Sequence, residues 1–303
     1  MSDGATAGGT GDGLLVVDKP GGMTSHDVVA RVRKLARIRR VGHGGTLDPM
    51  ATGVLVIGVG RATRLLRYIS ETGKGYAATI RLGQRTVTDD AEGEVVETVP
   101  ADHLTESEIR AGLAALTGEI DQVPSAVSAV KVDGRRAYQR VRAGEQLELA
   151  PRRVTVSRLE LQALRRPGDG LVDLDVDVAC SSGTYVRAIA RDLGAALGTG
   201  GHLTALRRTF VGEFTLAEAV TLEELAARAP AVVTIPLAEA ARRLFPAREL
   251  TAGQARTCAH GGALPPVGIT GPYAAFAPTG AVVAVLRERD GRARPEVVLA
   301  PAG

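Results

Sequence analysis

Alternating apolar and polar runs divide the first third of the chain into short strands and helices. GLLVVDKPGGMTS predicts a buried strand that ends at a Pro-Gly-Gly turn. In TSHDVVARVRKLARIRR the apolar residues recur at helical spacing, after Thr, Ser and Asp residues that can cap a helix. This apolar stripe consists of Val28, Val29, Val32, Leu35 and Ile38. GVLVIGVG, RATRLLRYI and KGYAATIRLG then predict a strand, a helix and a second strand.

The middle of the chain combines hairpin, helix and strand patterns. TVTDDAEGEVVETV predicts a hairpin with Gly93 at its turn, and Thr105 with Glu108 forms a capping box for a helix through Leu116. SAVKVDGRRAYQRVRAG predicts a strand, an Asp-Gly turn and a short basic helix. RVTVSRLELQAL and GLVDLDVDVACSSGTYV alternate apolar and polar residues, so we expect paired antiparallel strands with one solvated face. YVRAIARDLGAALG predicts an amphipathic helix and HLTALRRTFVGEF a further strand.

The order of these elements indicates the fold class. Strands occur in blocks with intervening helices and without regular strand–helix–strand alternation, which favours an α+β fold. We expect a mixed, largely antiparallel sheet flanked by helices. After an Ala-rich stretch at residues 222–245, the short strands and Gly/Pro turns predict a small C-terminal β-rich domain. We therefore expect a disordered tail at residues 1–12, a main domain at 13–240 and a second domain at 245–303.

Composition limits the class of protein. The chain has 303 residues, 45% hydrophobic and 23% charged, as expected of a globular protein. Its two cysteines, Cys180 and Cys258, argue against a disulfide scaffold or a cysteine-built zinc site and favour a reducing cytoplasm. No apolar run approaches the roughly 20 residues of a membrane span, and MSDGATAGGTGDG lacks the apolar core of a signal peptide. We expect a cytoplasmic protein that does not bind a membrane.

Charge is unevenly distributed along the chain. The formal net charge is only +3, but residues 1–70 carry ten Lys and Arg against five Asp and Glu. Residues 85–121 carry two Arg against ten acidic residues. A basic patch attracts polyanions through counterion release, although a charged helix face is more often simply solvated. Charge alone therefore leaves nucleic-acid binding open.

The strip VGHGGTLDPMATGVLVIGVGRATRLL at residues 41–66 is the strongest candidate for chemistry. It lacks the Lys of a Walker A loop and the spacing of a dinucleotide fingerprint. The five histidines never occur at metal-ligand helical spacing, and no G-x-S-x-G motif is present. What remains is Asp48, which is either a turn residue before Pro49 or an ionised carboxylate nucleophile, since the ordinary pKa of aspartate is about 3.9. The residues alone leave these two alternatives open.

Five blocks occur together in one order and carry a family resemblance. They are DKPGGMTSHDVV, GHGGTLDPMATGVLVIGVGRATR, KGYAATIRLGQRTVTDDAEG, PSAVSAVKVDGRRAYQRVRAG and CSSGTYVRAIARDLGAALGTGGHLTALRRT. Over roughly residues 13–215 they closely resemble the bacterial TruB family of pseudouridine synthases. The C-terminal part resembles more loosely the small RNA-binding domain of PUA type in that family. The resemblance implies a monomeric enzyme that isomerises uridine 55 in the T-loop of tRNA, with no cofactor and no metal.

The resemblance assigns the catalytic residues. Asp48, in GTLDPMATG, matches the catalytic aspartate that attacks the flipped uridine at ribose C1′ or base C6. Tyr76, in KGYAATI, matches the tyrosine that stacks on the target base and assists proton removal. Arg187, in SGTYVRAIARDLG, matches an arginine that pairs with this aspartate and keeps it ionised and oriented. Without the resemblance, Tyr76 and Arg187 are an ordinary strand aromatic and an ordinary residue at a helix start.

Besides Tyr76, which contacts the target base, the same resemblance implies five further substrate-binding residues. Tyr185 and Leu206 are expected to line the uridine pocket, and His43 to fill the gap that the flipped uridine leaves in the T-loop. Lys19 and Pro20 are expected to support the site from beside it. Without the family context, Leu206 is a core residue and His43 a turn histidine.

Two alternatives to a tRNA-modifying enzyme stay open. One is the catalytic subunit of a guide-RNA-dependent pseudouridylation particle, and the other is a tRNA-binding or tRNA-folding protein without catalysis. The basic helix at residues 31–40 and the stretch RRAYQRVR are candidates for phosphate contacts, which position an RNA without reading its sequence. The presence of Asp48, Tyr76 and Arg187 favours an enzyme over a binding protein.

Overall fold

A computed structural model describes residues 11–125, 131–132, 135–136 and 149–300 of the chain. Within this part the chain forms two compact units. The first contains residues 11–49, Gly53–Ser70 and 211–300, and the second contains residues 50–52 and 71–210.

The elements are numbered separately for strands and helices in chain order. The described strands are β1 Gly13–Lys19, β2 Val41–His43, β3 Thr52–Val59, β4 Lys74–Leu82, β5 Gln84–Thr86, β6 Val95–Thr98, β7 Gly118–Gln122, β8 Lys131–Val132, β9 Arg135–Arg136, β10 Arg152–Gly168, β11 Leu171–Cys180, β12 Gly201–Val211, β13 Phe214–Thr215, β14 Ile235–Pro236, β15 Ala247–Glu249, β16 Pro272–Phe276, β17 Val282–Arg289 and β18 Arg292–Val298. The described α-helices are α1 Ser25–Ala36, α2 Leu66–Ser70, α3 Glu106–Ala115, α4 Val186–Ala196, α5 Leu222–Ala227, α6 Leu237–Leu244 and α7 Ala252–Ala259. Short 3₁₀ turns cover Gly60–Leu65 and Leu216–Glu218. No helix in this described part is long and apolar enough to cross a membrane.

In the first unit, antiparallel strands place the loop that carries Asp48. β1 lies between β14 and β3, and β2 pairs with β3. Lys19 at the end of β1 is opposite Gly53, and His43 at the end of β2 is opposite Ile57. The loop between β2 and β3 therefore lies beside the C-terminal end of β1, which brings two separate sequence motifs together.

Helix α1 confirms the predicted apolar stripe but ends earlier than the stripe. Thr24 and Asp27 form a complete capping box at its start, and Val28, Val29 and Val32 are buried. Arg37 adopts a left-handed conformation with φ of 56°, which ends the helix before Ile38. The local capping signal was therefore more reliable than the end of the apolar stripe.

The C-terminal strands form the predicted small sheet, in the order β15-β16-β17-β18. β15 is parallel to β16, and the remaining pairs are antiparallel. Some buried side chains of this sheet, including Phe276 and Val285, belong to the same hydrophobic core as Leu14 of β1 and Ile69 of α2. These residues all belong to the first unit, and the domain boundary near residue 245 stays a prediction.

In the second unit the sheet order is β12-β4-β11-β10-β7. The two alternating stretches form the antiparallel pair β10–β11, as predicted. The polar side of β11 carries aspartates that pair with arginines of neighbouring strands, as Asp173 does with Arg81 at 2.7 Å and Asp177 with Arg158 at 3.0 Å. The α+β class with a mixed, largely antiparallel sheet is confirmed.

Other predicted elements of the second unit are present in shorter form. β5 and β6 form the predicted hairpin, and Thr105 with Glu108 caps α3 as expected. β8 pairs with β9, with Lys131 opposite Arg136 and Val132 opposite Arg135. The predicted Asp-Gly turn between these strands lies outside the described residues. The remainder of the predicted basic helix in RRAYQRVR lies outside the described residues.

Candidate active site

The backbone on both sides of Asp48 is held by the motif that follows β1. The Ser25 hydroxyl accepts a hydrogen bond from the Leu47 amide at 2.8 Å and donates one to the Leu47 carbonyl at 3.1 Å. The Pro49 carbonyl accepts from the Gly22 amide at 2.9 Å and from the Lys19 ammonium at 3.2 Å. The residue before Asp48 and the residue after it are thus both fixed, while Asp48 itself is half-buried.

Lys19 has a stronger structural role than the sequence indicated. Its side chain is fully buried, and its ammonium also donates to the carbonyls of Pro20 at 2.8 Å and Met23 at 2.6 Å. Hydrogen bonds from a charged donor contribute about 1.5–3 kcal/mol each, which offsets the cost of burying the charge. Pro20 is exposed and contributes its carbonyl to this cluster. The expectation that Lys19 and Pro20 support the site stays a prediction for function.

The glycines before Asp48 have two different structural reasons. A Cβ on Gly44 would lie 2.9 Å from Cγ2 of Ile69, so α2 leaves no room for a side chain there. Gly45 has a φ of 124°, a conformation that other residues rarely adopt. Gly44 is therefore required by packing within its own unit, and Gly45 by the conformation of its backbone.

In the second unit, Arg187 lies in the first turn of α4 and is buried together with Asp90. The Arg187 guanidinium is 3.4 Å from the Asp90 carboxylate and donates to the Thr88 carbonyl at 3.0 Å. The side chains are only 7% and 4% exposed, so the pair is almost completely removed from solvent. A buried arginine beside a carboxylate is stable only when both groups are well hydrogen-bonded. The predicted pairing of Arg187 with Asp48 stays a prediction.

Asp90 is oriented by its own turn. Its Oδ1 accepts from the Thr88 hydroxyl at 2.5 Å and from the Glu92 amide at 3.1 Å, which leaves Oδ2 toward Arg187. Asp89 before it has a φ of 60°, and its carbonyl accepts from the Leu203 amide of β12 at 3.0 Å. Burial raises the pKa of the Asp89 carboxyl. The sequence presented this segment only as a hairpin turn, and no spacing distinguished Asp90 from its acidic neighbours.

Gln122 fixes the start of the helix that carries Arg187. Its side-chain amide accepts from the Tyr185 amide at 2.8 Å and donates to the Tyr185 carbonyl at 3.1 Å. Gln122 is 2% exposed, and α4 has no side-chain N-cap of its own. These two hydrogen bonds fix the backbone where α4 begins and set the position of half-buried Tyr185. No pattern in the sequence indicates this role of Gln122.

Tyr76 lies in β4, opposite Val178 of β11, and is 7% exposed. Two residues earlier on the same strand face, Lys74 is also buried and donates to the Thr72 carbonyl at 2.9 Å. Burial, together with the nearby Arg208 guanidinium, lowers the pKa of Lys74 to about 8. Lys74, on the same strand face as Tyr76, therefore loses its proton at a lower pH than an ordinary lysine does.

Leu206 borders an open cleft of about 900 Å³ in the second unit. Other residues around the cleft are Met50, Thr52, Thr79, Arg158 and Arg207. This mixture of apolar surface and hydrogen-bonding groups is typical of ligand pockets of 300–1,000 Å³. Leu206 is nonetheless only 9% exposed, so most of its surface packs in the core.

The site residues predicted from the sequence fall into two groups. Those of the first unit are Lys19, Pro20, His43 and Asp48, and those of the second are Tyr76, Tyr185, Arg187 and Leu206. Within residues 11–125 and 149–300, no group of three or more His, Cys, Asp or Glu side chains could hold a metal ion.

Comparison with known families matches nearly the whole chain. The model of the TruB family pseudouridylate synthase N-terminal domain matches residues 33–186. A tRNA pseudouridylate synthase B C-terminal domain model matches residues 187–240, and a tRNA pseudouridine synthase II C-terminal model matches 245–300.

Individual relatives are similar over the same length. The tRNA pseudouridine synthase B of Thermobifida fusca is 59% identical over 95% of this chain and 99% of its own. The protein of that name from Nocardia farcinica is 61% identical over 96% of this chain and 94% of its own. Among solved structures, a chain of a Cbf5-Nop10-Gar1 complex is 26% identical with a TM-score of 0.73, over 96% of this chain and 85% of its own.

Proposed function

Because the chain belongs to the TruB family of pseudouridylate synthases, we propose that it isomerises uridine 55 in the T-loop of tRNA to pseudouridine. The observation that carries this proposal is similarity at about 60% identity, over nearly full length, to proteins named tRNA pseudouridine synthase B. The residues that the family resemblance assigns to catalysis are all present in this chain.

The proposed reaction begins with the flipped uridine and the Asp48 carboxylate. Asp48 attacks either ribose C1′ or base C6, the bond between N1 and C1′ breaks, and the uracil rotates. A bond then forms between C5 and C1′, and the bond from Asp48 to C1′ or C6 breaks, which regenerates the free carboxylate. The proton on C5 leaves, and N1 gains a proton. The product is an isomer of the substrate, so the reaction requires no redox cofactor and no group donor.

The geometry of each unit supports the proposed roles. Ser25 and Lys19 fix the backbone on both sides of Asp48, as a nucleophile that must meet one atom requires. Buried Tyr76 offers an aromatic face for the base, and Leu206 an apolar contact beside an open cleft. Arg187 is the proposed partner that keeps Asp48 ionised.

Two alternatives are less well supported. The proposal of a guide-RNA-dependent enzyme is supported by similarity to a chain of a Cbf5-Nop10-Gar1 complex at 26% identity. That identity is far below the 61% identity to a protein named tRNA pseudouridine synthase B. A binding protein without catalysis would not need the catalytic aspartate with its clamped loop. We further propose that the enzyme acts as a cytoplasmic monomer without a metal.

The test is incubation with an unmodified tRNA transcript in buffer containing EDTA, followed by mapping of pseudouridine. We expect product at uridine 55 from the wild type and none from Asp48→Asn, because the amide is not a nucleophile. Asp48→Asn should keep its unfolding temperature and its tRNA Kd, which shows that only chemistry is lost. Product at another position would overturn the specificity, and full turnover by Asp48→Asn would overturn the assignment of the nucleophile.

A further inference from the structure

Two histidine rings meet edge to face in the first unit. The ring centroids of His26 and His43 are 5.3 Å apart, and the ring planes are 83° apart. His26 is exposed in the first turn of α1, whereas His43 is half-buried at the end of β2. The two residues belong to different elements, so no periodicity of the sequence indicates their contact.

The backbone of His26 is held on both sides. Ser25 before it is hydrogen-bonded to both backbone groups of Leu47. Asp27 after it closes the capping box, because its carboxylate accepts from the Thr24 amide at 2.8 Å. The Cα of His26 is therefore fixed in position, although the side chain of His26 is exposed to solvent.

The backbone of His43 is held equally well by strand pairing. His43 is opposite Ile57 in the β2–β3 ladder, and the next amide, of Gly44, donates to the Val56 carbonyl at 2.9 Å. With both backbones fixed, the edge-to-face contact limits the orientations that the His43 ring can adopt. Aromatic pairs prefer this geometry over a face-to-face arrangement.

We propose that His26 is a positioning residue for His43 and holds its ring ready to occupy the space that the flipped uridine leaves in the T-loop. This inference rests on the proposed function, in which His43 fills that space. A side chain that is ordered before binding loses less conformational entropy when the RNA arrives. An aromatic edge contact of this kind corresponds to an effect of about two- to tenfold on an equilibrium.

The experiment is a double-mutant cycle of His26→Ala and His43→Ala, read as the single-turnover rate of pseudouridine formation on an unmodified tRNA transcript. We expect His26→Ala to slow the wild-type reaction about two- to tenfold. In the His43→Ala background, His26→Ala should have no further effect, because the ring that it positions is gone. His26→Phe keeps the ring edge and should stay within about twofold of the wild type.

The control is His103→Ala, which removes another exposed histidine near the capping box of a helix, α3, and should leave the rate unchanged. Equal slowing by His26→Ala in both backgrounds would mean a direct RNA contact and would overturn the positioning role. His26→Phe as slow as His26→Ala, or no effect of His26→Ala, would overturn it too. If the wild type gave no pseudouridine, the proposed function would fall, and this role with it.

Discussion

Removing the buried carboxylate of Asp90 should destabilise the second unit far more than removing an exposed carboxylate of the same unit. The change is Asp90→Ala, which takes a charged partner away from Arg187 while both positions stay buried. The matched control is Glu97→Ala. Glu97 pairs with Arg85 at 3.0 Å on the β5–β6 hairpin, with the two side chains 52% and 50% exposed.

The magnitude follows from the geometry of the pair. At an effective dielectric constant of about 20, unit charges 3.4 Å apart attract by about 5 kcal/mol. Breaking a buried pair by deleting one partner costs about 3–5 kcal/mol. We expect a loss at the lower end of this range, because Arg187 keeps its hydrogen bond to the Thr88 carbonyl. An exposed pair such as Arg85–Glu97 contributes less than about 1 kcal/mol.

The assay is thermal unfolding at pH 7 in moderate salt. For a chain of this size, 1 kcal/mol corresponds to a change in Tm of about 2–4 °C. We therefore expect Asp90→Ala to lower the Tm by about 6 °C or more and Glu97→Ala by about 4 °C at most. Asp90→Asn, which can still accept from Thr88 and Glu92, should fall between the two. Equal losses from Asp90→Ala and Glu97→Ala would refute the claim that burial makes the Arg187 pair important.

Two further predictions concern charge. The pKa of Lys74 in the folded protein is about 8, below the ordinary 10.5, because folding disfavours its protonated form. The resulting loss of folding stability is complete below pH 8. The Tm of the wild type relative to that of Lys74→Met should therefore rise between about pH 8 and pH 10.5, and a flat difference across that window would contradict the burial of the charge. The affinity of the wild type for tRNA should fall steeply as the salt concentration rises. Replacing the exposed residues Arg31, Lys34 and Arg37 of the basic region with Gln should reduce the slope of log K against log salt by about 0.7–0.9 per lost phosphate contact. Filter binding from 50 to 300 mM salt measures this, and an unchanged slope would exclude this region as a phosphate platform.

Local patterns were sufficient for most of the fold. The capping boxes of α1 and α3 join residues three positions apart, and the alternation in β10 and β11 reports one solvated and one buried face. Such features depend on neighbours within one turn or one strand, so the sequence contains them directly. Helix α1 ends early because Arg37 adopts a left-handed backbone conformation, which the apolar stripe did not predict.

The candidate site was predicted from the sequence only in part. The family resemblance named Asp48, Tyr76 and Arg187 from their motifs, but it did not name the residues that hold them. In the sequence, Asp90 belonged to a predicted hairpin and Ser25 was a helix-cap candidate. Gln122 lay in a stretch for which no element was predicted. Nothing in their own segments distinguished them from residues without a role at the site.

The sequence by itself determined the class of fold, most of the order of the elements and the candidate catalytic motifs, because burial periodicity, capping and motif spacing are local properties of the chain. Only the tertiary structure decided which groups support those motifs. Ser25 reaches Leu47 across 22 positions, Gln122 reaches Tyr185 across 63, and Arg187 reaches Thr88 across 99. Those contacts depend on strand register and on how helices dock, and both are set by the packing of the whole unit rather than by any one segment.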